Sequence, residues 1–263
     1  MDVLVIGGNR FIGRSFVLAL RFRRHRITVL NRGTLTTPPG VEHVVADRTT
    51  DAFDAALAGR RFDAVVDFAA FDGADARRAL RVVNAGHYIV ISTGQVYLVR
   101  EGATAPFREA DYAGPVMAAP PTPVEHDDWA YGIGKREVED AFAAAPFLTT
   151  RLRIPMVSGE GDPKRRYEKY LRAILAGGPV VVPRADQIAR HVYRGSLVDA
   201  LIRLVEQPPA ASNAFNFCQR EEPTVRELIE LIASAARAPR PEIVDGETTE
   251  SPFSSRWMSC LDP

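Results

Sequence analysis

Residues 2–13 read Asp-Val-Leu-Val-Ile-Gly-Gly-Asn-Arg-Phe-Ile-Gly, an apolar run that ends in a glycine-rich turn. The apolar residues predict a buried strand at Asp2–Ile6, and apolar residues at helical spacing follow from Phe11 to Arg23. Glycines between a strand and a helix permit positive φ angles and let an anion approach the free N–H groups of the helix N-terminus. In this context the turn predicts a pyrophosphate site of a dinucleotide, whereas a glycine pattern by itself would indicate only a tight turn.

The rest of the first 95 residues repeats this alternation of short apolar runs with amphipathic stretches. Continuous apolar runs are typical of strands covered on both faces, and strands that alternate with helices form parallel sheets through right-handed crossovers. The sequence therefore predicts an α/β fold, a Rossmann-like parallel sheet flanked by helices. Further strands are predicted at 27–30, 42–46, 64–68 and 88–91, and helices at 51–58 and 74–83.

Prolines interrupt this rhythm between about Arg100 and Trp129. A connection of that length, against a usual ~4–6 residues, is either a functional lid or a passive excursion, and its position before Tyr131 favours a loop on the substrate side. Thr224 and Glu227 form a capping-box pattern ahead of the last predicted helix. Helices are predicted at 135–144, 167–176, 197–206 and 225–236, and strands at 148–157 and 214–217.

The predicted elements divide the chain into two parts. Residues 1–157 are interpreted as an NAD(P)-binding Rossmann-like domain. Residues 158–263 are interpreted as a small C-terminal substrate lobe, from which the strand at 214–217 is expected to return to the sheet. The last fifteen residues are weakly patterned, and the lobe is expected to be small or open.

The composition excludes several classes of protein. The 263 residues carry 33 basic and 33 acidic side chains, and a net charge of zero argues against binding nucleic acid chiefly through its phosphates. The basic cluster at 21–26 lies where the first helix is expected to end, a position that the helix dipole favours. No apolar run is long enough to span a membrane. Cys218 and Cys260 form no disulfide framework or metal-ligand pattern, which predicts no metal site and a cytoplasmic location.

The end of the second strand, Leu30-Asn31-Arg32, bears on the choice of cofactor. A carboxylate here would bind the adenosine ribose hydroxyls and repel a 2′-phosphate, and this stretch has none. Arg32, and Arg10 in the glycine-rich turn, could bind that phosphate instead, so we predict NADP. NAD remains the alternative, because 30 of the 33 basic residues are Arg and these two could belong to that excess. Asp47 could accept a hydrogen bond from the adenine amine or cap the next turn.

A tyrosine and a lysine stand four residues apart in Tyr131-Gly-Ile-Gly-Lys135, although the chain has only three lysines. In a helix this spacing puts both side chains on one face. A cation beside a phenol lowers its pKa from ~10, which produces a general acid/base for a substrate hydroxyl or carbonyl. Thr93 or Ser92, at the carboxyl end of a predicted strand, could donate a hydrogen bond to the reacting oxygen or serve only as a cap.

Together these residues resemble the extended short-chain dehydrogenase/reductase family, the NAD(P)-dependent epimerases and dehydratases. The resemblance covers almost the whole chain and implies hydride transfer at a secondary alcohol or ketone of a small molecule, such as a sugar or sugar nucleotide. It implies that Tyr131 is the acid/base, that Lys135 modulates it and binds the nicotinamide ribose, and that Thr93 polarises the substrate. A homodimer is compatible with it. The expected cofactor contacts are Gly7, Asn9, Arg10, Phe11, Ile12, Gly13, Asn31, Arg32, Asp47, Arg48, Ala69, Ala70, Tyr131 and Lys135, and the expected substrate contacts are Gln95 and Arg190.

The chain departs from the family pattern at several positions. Arg10 stands where the family usually has Gly, which looks like the subgroup of chloroplast stem-loop RNA-binding proteins and bacterial reductase-like members. Gln95 stands in place of an acidic residue of the sugar 4,6-dehydratases, so we do not expect their elimination chemistry. Ser196 replaces a usual Asp, and Arg190 is slightly out of register with the arginine that binds a nucleotide-sugar phosphate. The prediction is an NAD(P)-dependent reductase or epimerase, and the alternative is a non-catalytic nucleotide-binding or RNA-associated protein of the same fold.

Overall fold

The computed structural model describes residues 1–246 and 261–262, and its centre is a parallel β-sheet with helices on both faces. The strands are β1 (Asp2–Ile6), β2 (Arg26–Asn31), β3 (Glu42–Val45), β4 (Arg61–Asp67), β5 (Asn84–Thr93), β6 (Leu148–Ile154), β7 (Met156–Ser158), β8 (Val180–Val182), β9 (His191–Tyr193), β10 (Asn213–Asn216) and β11 (Ile243–Asp245). The α-helices are α1 (Phe11–Phe22), α2 (Asp51–Leu57), α3 (Gly73–Val82), α4 (Gln95–Leu98), α5 (Pro123–Ala143), α6 (Arg166–Leu175), α7 (Arg194–Glu206) and α8 (Val225–Ala235), and a 3₁₀ turn spans Glu109–Tyr112.

The main sheet has seven strands in the order β3-β2-β1-β4-β5-β6-β10. All of its pairings are parallel. The chain starts at β1, moves outward to β3, and then crosses to β4 on the other side of β1. Ligands of open α/β sheets bind at the carboxyl ends of the strands where the order reverses, which here is the edge formed by β1 and β4. The predicted Rossmann-like fold is confirmed.

Helices cover both faces of this sheet. Helices α1 and α7 pack together on one face, where Phe16, Leu20 and Leu201 are fully buried. Helices α2, α3 and α5 cover the other face, with Phe53 and Phe142 in its core. Because both faces are buried, the strands read as nearly continuous apolar runs, and this is the reason that their positions are visible in the sequence.

The C-terminal part has a core of its own and also contributes to the main sheet. Helices α6 and α8 pack together around Tyr170 and Ile229, beside a small sheet of β8 and β11. By contrast, α7 packs on α1, and β10 pairs with β6. The domain division at residue 157 stays a prediction. Of the last fifteen residues the structure describes Leu261 and Asp262, and Cys260 lies outside the described residues.

Helix α5 differs most from the prediction. Helical spacing predicts a start at Lys135, whereas the helix begins at Pro123 with Thr122 as its N-cap. Proline fits the first helical turn because the N–H that it lacks has no partner there in any case. Pro123 therefore begins the helix, and the 21-residue α5 carries Tyr131 and Lys135 in its middle.

The strand predicted at 148–157 is also wrong in its extent. It divides at Pro155, which has no N–H to give to a strand ladder, into β6 in the main sheet and β7, which pairs with β9 elsewhere. The strands β8, β9 and β11 have three residues each, too few to show a pattern in the sequence. Within residues 1–246 and 261–262 the structure has no helix of the length and apolarity that a membrane crossing requires.

Residues 100–122, where the sequence shows no periodicity, are anchored by aromatic contacts. The Tyr112 ring lies 3.9 Å from the guanidinium carbon of Arg136 and 4.4 Å from that of Arg153. Phe107 stacks on Tyr97 with ring centres 5.2 Å apart. The segment is therefore packed on the body of the protein, and a contact between it and substrate stays a prediction.

The capping box at α8 gives a test of this architecture. Thr224→Ala is expected to lower the free energy of unfolding by about 1 kcal/mol. The reason is that Thr224 Oγ1 accepts from Glu227 N at 3.1 Å while the Glu227 carboxylate accepts from Thr224 N at 2.7 Å. The matched control is Thr122→Ala at the N-cap of α5, because that hydroxyl caps no helix N–H. Urea denaturation measures both variants, and equal losses would contradict the capping assignment.

Candidate functional site

A cavity of about 630 Å³ opens at the carboxyl ends of β1, β2 and β4, where the strand order reverses. Its volume lies within the range of small-molecule and cofactor pockets. Three of the expected cofactor contacts do not line this cavity: Ala70, Tyr131 and Lys135. The Lys135 Nζ nevertheless lies 5.9 Å from the ring centre of Phe71, and Phe71 does line the cavity. The cavity brings together Gly7, Asn9, Arg10, Phe11, Ile12, Gly13, Asn31, Arg32, Asp47, Arg48 and Ala69.

The glycine-rich turn has a shape that other residues could not adopt. Gly7 and Gly8 have φ angles of 94° and 81°, in the region that favours glycine. A Cβ on Gly13 would lie 2.6 Å from the Cα of Gly8, so the first turn of α1 approaches the glycine-rich turn as closely as backbone allows. The result is a tight turn that lines the cavity.

Helix α1 begins at this turn without a side-chain cap. Its N-cap is Arg10, whose side chain makes no capping hydrogen bond, and its first turn contains no acidic residue. The uncapped N–H groups and the positive end of the helix dipole favour an anion at this place. A basic residue where Ser, Thr or Asp is usual leaves these groups available to a ligand.

Two asparagines fix the wall of the cavity. The Asn9 Nδ2 donates to Leu35 O and to Thr37 Oγ1, both at 2.8 Å, and so ties the turn to the loop after β2. The Asn31 Nδ2 donates to Gly7 O at 3.1 Å, while its Oδ1 accepts from Gly33 N at 2.8 Å. The Asn9 Oδ1 is buried and has no hydrogen-bond partner among the described residues. Asn31 therefore positions the turn, and Asn9 keeps one acceptor for a ligand.

Charged groups stand at the mouth of the cavity. Arg10 and Arg32 line it and are both exposed. The pKa of Asp47 is lowered, chiefly by hydrogen bonds from Thr49 and to a smaller extent by the charge of Arg32. Asp47 therefore caps the turn through the Oδ1 that accepts from Thr49 N at 2.9 Å, the second of the two roles that the sequence left open.

Arg48 is held by the protein. Its Nη1 and Nη2 donate to the two carboxylate oxygens of the fully buried Asp67 at 3.0 and 3.1 Å. Its Nε lies 3.1 Å from the Asp75 carboxylate. Arg48 lines the cavity, but its guanidinium is committed to these two carboxylates, so a contact with cofactor stays a prediction.

Lys135 is buried under backbone carbonyls. It is 4% exposed, and its Nζ donates to Ala70 O at 2.8 Å and to Ile91 O at 2.6 Å. Burial lowers the pKa of Lys135 to about 8, because a charged ammonium is poorly solvated there. Ala70, an expected cofactor contact, accepts from Lys135 through its carbonyl.

The pKa of Tyr131 contradicts the expectation from the sequence. Desolvation raises the pKa of the phenol above its usual value even though the residue is 39% exposed, and the nearby Thr93 hydroxyl only partly opposes this. The Lys135 ammonium donates to two backbone carbonyls rather than to the Tyr131 hydroxyl. The surroundings of Tyr131 therefore do not favour its phenolate form.

The structure distinguishes between the two hydroxyls at the end of β5. The Ser92 Oγ is buried and donates to the Glu139 carboxylate at 2.5 Å, so its proton is committed. The Thr93 Oγ1 accepts from Gln95 N at 3.3 Å and lies near Tyr131. Thr93 is therefore the hydroxyl that meets Tyr131.

Two glycines in the Tyr131–Lys135 motif allow α5 to approach its neighbours. A Cβ on Gly134 would lie 2.6 Å from Phe71 O, and one on Gly132 would lie 2.9 Å from Gln95 O. The close contact with Phe71 brings Lys135 within reach of Ala70 O. The sequence analysis missed this role, although two glycines in a helix are unfavourable enough to point to a packing constraint.

The two expected substrate contacts lie in different surroundings. The Gln95 backbone N donates to Thr93 Oγ1, while its side-chain Oε1 is buried and has no hydrogen-bond partner among the described residues. Arg190 is fully buried, donates to Gln219 O at 2.9 Å and pairs with Glu222. Because the guanidinium of Arg190 is held by the protein itself, its contact with substrate stays a prediction.

The basic cluster at 21–26 is largely satisfied within the protein. Arg23 and His25 contact the Glu206 carboxylate at 2.9 and 3.0 Å, and Arg26 pairs with Asp2. Arg21 donates to Pro39 O at 2.6 Å. These contacts support the interpretation as a helix end rather than a nucleic-acid surface.

Comparison with known proteins places these features in a family. The sequence profile of the NAD dependent epimerase/dehydratase family matches residues 3–218. The 2′-dehydrokanamycin reductase of Streptomyces kanamyceticus is 36% identical over 148 residues, which are 55% of this chain and 38% of that protein. The chloroplast stem-loop binding protein of 41 kDa b of Arabidopsis thaliana is 25% identical over an alignment of 275 positions, gaps included. This alignment covers 97% of this chain and 68% of that protein.

A solved structure shows the same fold. MoeE5 in complex with UDP-glucuronic acid and NAD matches with a TM-score of 0.74 and 18% identity, over 100% of this chain and 90% of that one. This chain spans well under half the length of the Streptomyces reductase. The glycine-rich turn, the sheet and the Tyr131–Lys135 pair all lie within the range that the family profile matches, and this chain belongs to the NAD dependent epimerase/dehydratase family.

Proposed function

We propose that this protein is an NADP-dependent reductase that acts on a ketone of a sugar-like small molecule. The observation that carries the proposal is that the Thr93 hydroxyl, at the carboxyl end of β5, lies near Tyr131, with Lys135 held beside the glycine-turn cavity. These groups are the ones that a proton transfer to a carbonyl oxygen requires. The reductase from Streptomyces, which is named for a dehydro sugar derivative, supports the same class of substrate.

The residues around the cavity fit a dinucleotide. A Cβ on Gly7 would lie 3.2 Å from the Cβ of Phe68, so glycine leaves free a space that a side chain would fill. The uncapped start of α1 suits a pyrophosphate, and the unpartnered Asn9 Oδ1 suits a ribose hydroxyl. The cofactor supplies a hydride when it is bound.

The preference for NADP rests on charge. Arg10 and Arg32 stand at the mouth of the cavity, while Asn31 occupies the end of β2, where a carboxylate would select NAD. Two guanidinium groups favour a 2′-phosphate through charge-assisted hydrogen bonds. The alternative cofactor is NAD, which is bound in the MoeE5 structure. A binding experiment distinguishes NADP from NAD.

In the proposed reduction Tyr131 is the proton donor. A phenol with a raised pKa stays protonated at neutral pH and can donate its proton to the oxygen of a ketone. Thr93 is placed to donate a hydrogen bond to the same oxygen, and the charge of Lys135 stabilises the negative charge that develops there. An epimerase would use the same residues, but it would keep its cofactor bound through turnover.

The substrate is proposed to bind between the cofactor cavity and the C-terminal lobe, residues 158–263. A second cavity of about 470 Å³, lined by 159–163 and 165–168, shares Pro163 with the first. Because Arg190 is committed elsewhere, we infer a substrate without a nucleotide diphosphate. A keto-glycoside such as 2′-dehydrokanamycin is therefore the first probe to assay.

Tyr131→Phe is expected to lower kcat for this reduction by about 100-fold or more, because the hydroxyl that donates the proton is removed. Loss of NADPH absorbance with 2′-dehydrokanamycin or a related keto-glycoside measures the rate. The matched control is Tyr193→Phe, which removes an exposed hydroxyl that donates to Glu160 at 3.1 Å. If Tyr131→Phe stayed within a few-fold of the wild type, the proposed acid role would be wrong.

Arg32→Ala and Arg10→Ala are each expected to raise Kd for NADPH about tenfold and to leave Kd for NADH nearly unchanged, because only NADPH carries the 2′-phosphate. Fluorescence titration of the reduced cofactors measures both constants. Arg61→Ala, an exposed residue at the opposite end of the sheet, is the control. Equal weakening of both cofactors would contradict the proposed specificity.

The rate of reduction is expected to fall as the pH rises through about 8, the pKa of the buried Lys135. A lowered pKa means that the ammonium loses its charge at a lower pH than a free lysine, so activity is retained below this value and lost above it. A profile of kcat/KM against pH measures the effect. Activity that stayed constant up to about pH 10, where free phenols titrate, would contradict the role of the charge.

A further inference from the structure

The ammonium group of Lys135 depends on two carbonyls from separate parts of the chain. Ala70 O belongs to the segment after β4, and Ile91 O belongs to the last three residues of β5. Neither carbonyl belongs to α5, the helix that carries Lys135. The position of the ammonium is therefore fixed only if both segments are fixed against α5.

On the side of Ala70, the anchor is the buried Asp67. Its carboxylate accepts from Ala69 N at 2.8 Å and from the Tyr88 hydroxyl at 2.7 Å, in addition to the two bonds from Arg48. These contacts hold the segment that presents Ala70 O to Lys135.

On the side of Ile91, the anchor is Glu139. This residue is 2% exposed and follows Lys135 by four positions, so both side chains lie on the same face of α5. Its carboxylate accepts from the Ser92 hydroxyl at 2.5 Å, and Ser92 lies between Ile91 and Thr93. Glu139 is thus a second side-chain link between α5 and the end of β5, beside the bond from Lys135 to Ile91 O.

Arg153 prevents this carboxylate from turning away. The Arg153 Nε lies 3.0 Å from each Glu139 oxygen, and its Nη2 lies 2.6 Å from Oε2. The Arg153 Nη1 donates to the Tyr97 hydroxyl at 2.6 Å, which donates to Asn216 at 2.7 Å. The carboxylate is therefore held from both sides, by β5 and by a buried network that reaches β10.

We infer that Glu139 is a positioning residue of the proposed active site, whose buried carboxylate ties β5 to α5 and so aligns Thr93 and Ile91 with Tyr131 and Lys135. This inference rests on the proposed function. The inference goes beyond the proposed function because it assigns a role to Glu139, which contacts neither the cofactor cavity nor Tyr131.

Glu139 also acts on Lys135 through its charge. Burial lowers the pKa of Lys135, and the carboxylates of Asp67 and, to a smaller extent, Glu139 raise it again. Arg48 lowers this pKa, and Asp75 raises it. Neutralising Glu139 is therefore expected to move the titration of Lys135 to lower pH.

The experiment is Glu139→Gln, which keeps the shape of the side chain and removes its charge. We expect kcat to fall about tenfold with KM for NADPH unchanged, and the alkaline limit of the pH profile to move down by about one pH unit. Glu137→Gln is the matched control, because Glu137 lies on the same helix but is exposed and accepts from Gly73 N at 3.1 Å. A residue that served stability alone would lower the melting temperature without moving the pH profile.

A second readout does not require substrate. The chain has three lysines, so isotope-labelled lysine gives three side-chain NMR signals, and Lys135 is identified by its loss in Lys135→Met. A lower pKa of Lys135 in Glu139→Gln, but not in Glu137→Gln, supports the inference even if the probe substrates of the proposed function fail. If the titration and kcat both match the wild type, the inference is wrong.

Ser92→Ala covers the case in which Glu139→Gln does not fold, since it leaves the Glu139–Arg153 pair intact. It removes only the hydrogen bond to the end of β5. We expect kcat to fall about fivefold with the pKa of Lys135 unchanged, because the charge of Glu139 remains. An unchanged kcat in this folded variant would overturn the positioning role.

Discussion

A buried ammonium group is stable only where it keeps its hydrogen bonds, and this requirement organises the centre of the protein. Lys135 meets it through Ala70 O and Ile91 O, which follow or end two neighbouring strands of the sheet. Both segments and α5 must therefore keep one relative arrangement. The same arrangement closes the side of the proposed active site that faces Tyr131 and Thr93, so the needs of one charge define the geometry of the whole site.

The sheet was predictable because each strand is buried on both faces and the glycine-rich turn marks the first crossover locally. The Tyr131–Lys135 pair was predictable because a spacing of four is a property of any helix. The raised pKa of Tyr131 was not, since it depends on desolvation, and neither was the direction of the Lys135 ammonium toward residues 44 and 65 positions away in sequence. The commitment of Arg48 to Asp67 was hidden for the same reason, because a contact between distant segments leaves no periodic trace.

The difference between arginine and lysine explains how this arginine-rich chain distributes its buried charges. Arg48 and Arg153 each present a planar fork to one carboxylate, that of Asp67 or Glu139. Lys135 instead presents a compact ammonium to two carbonyls. A guanidinium is too broad and too flat to replace it there. The lysine is therefore required by shape as well as by charge.

Arg153 also contacts the ring of Tyr112, so the segment of residues 100–122 and the carboxylate of Glu139 share one cation. Groups that share a partner are energetically coupled, and changes in them do not add. This segment is consequently difficult to exchange between relatives, because a foreign segment would have to bring an aromatic residue that suits both Arg136 and Arg153. New substrate ranges on this scaffold should be more accessible by single substitutions around the cavity than by recombination of this segment.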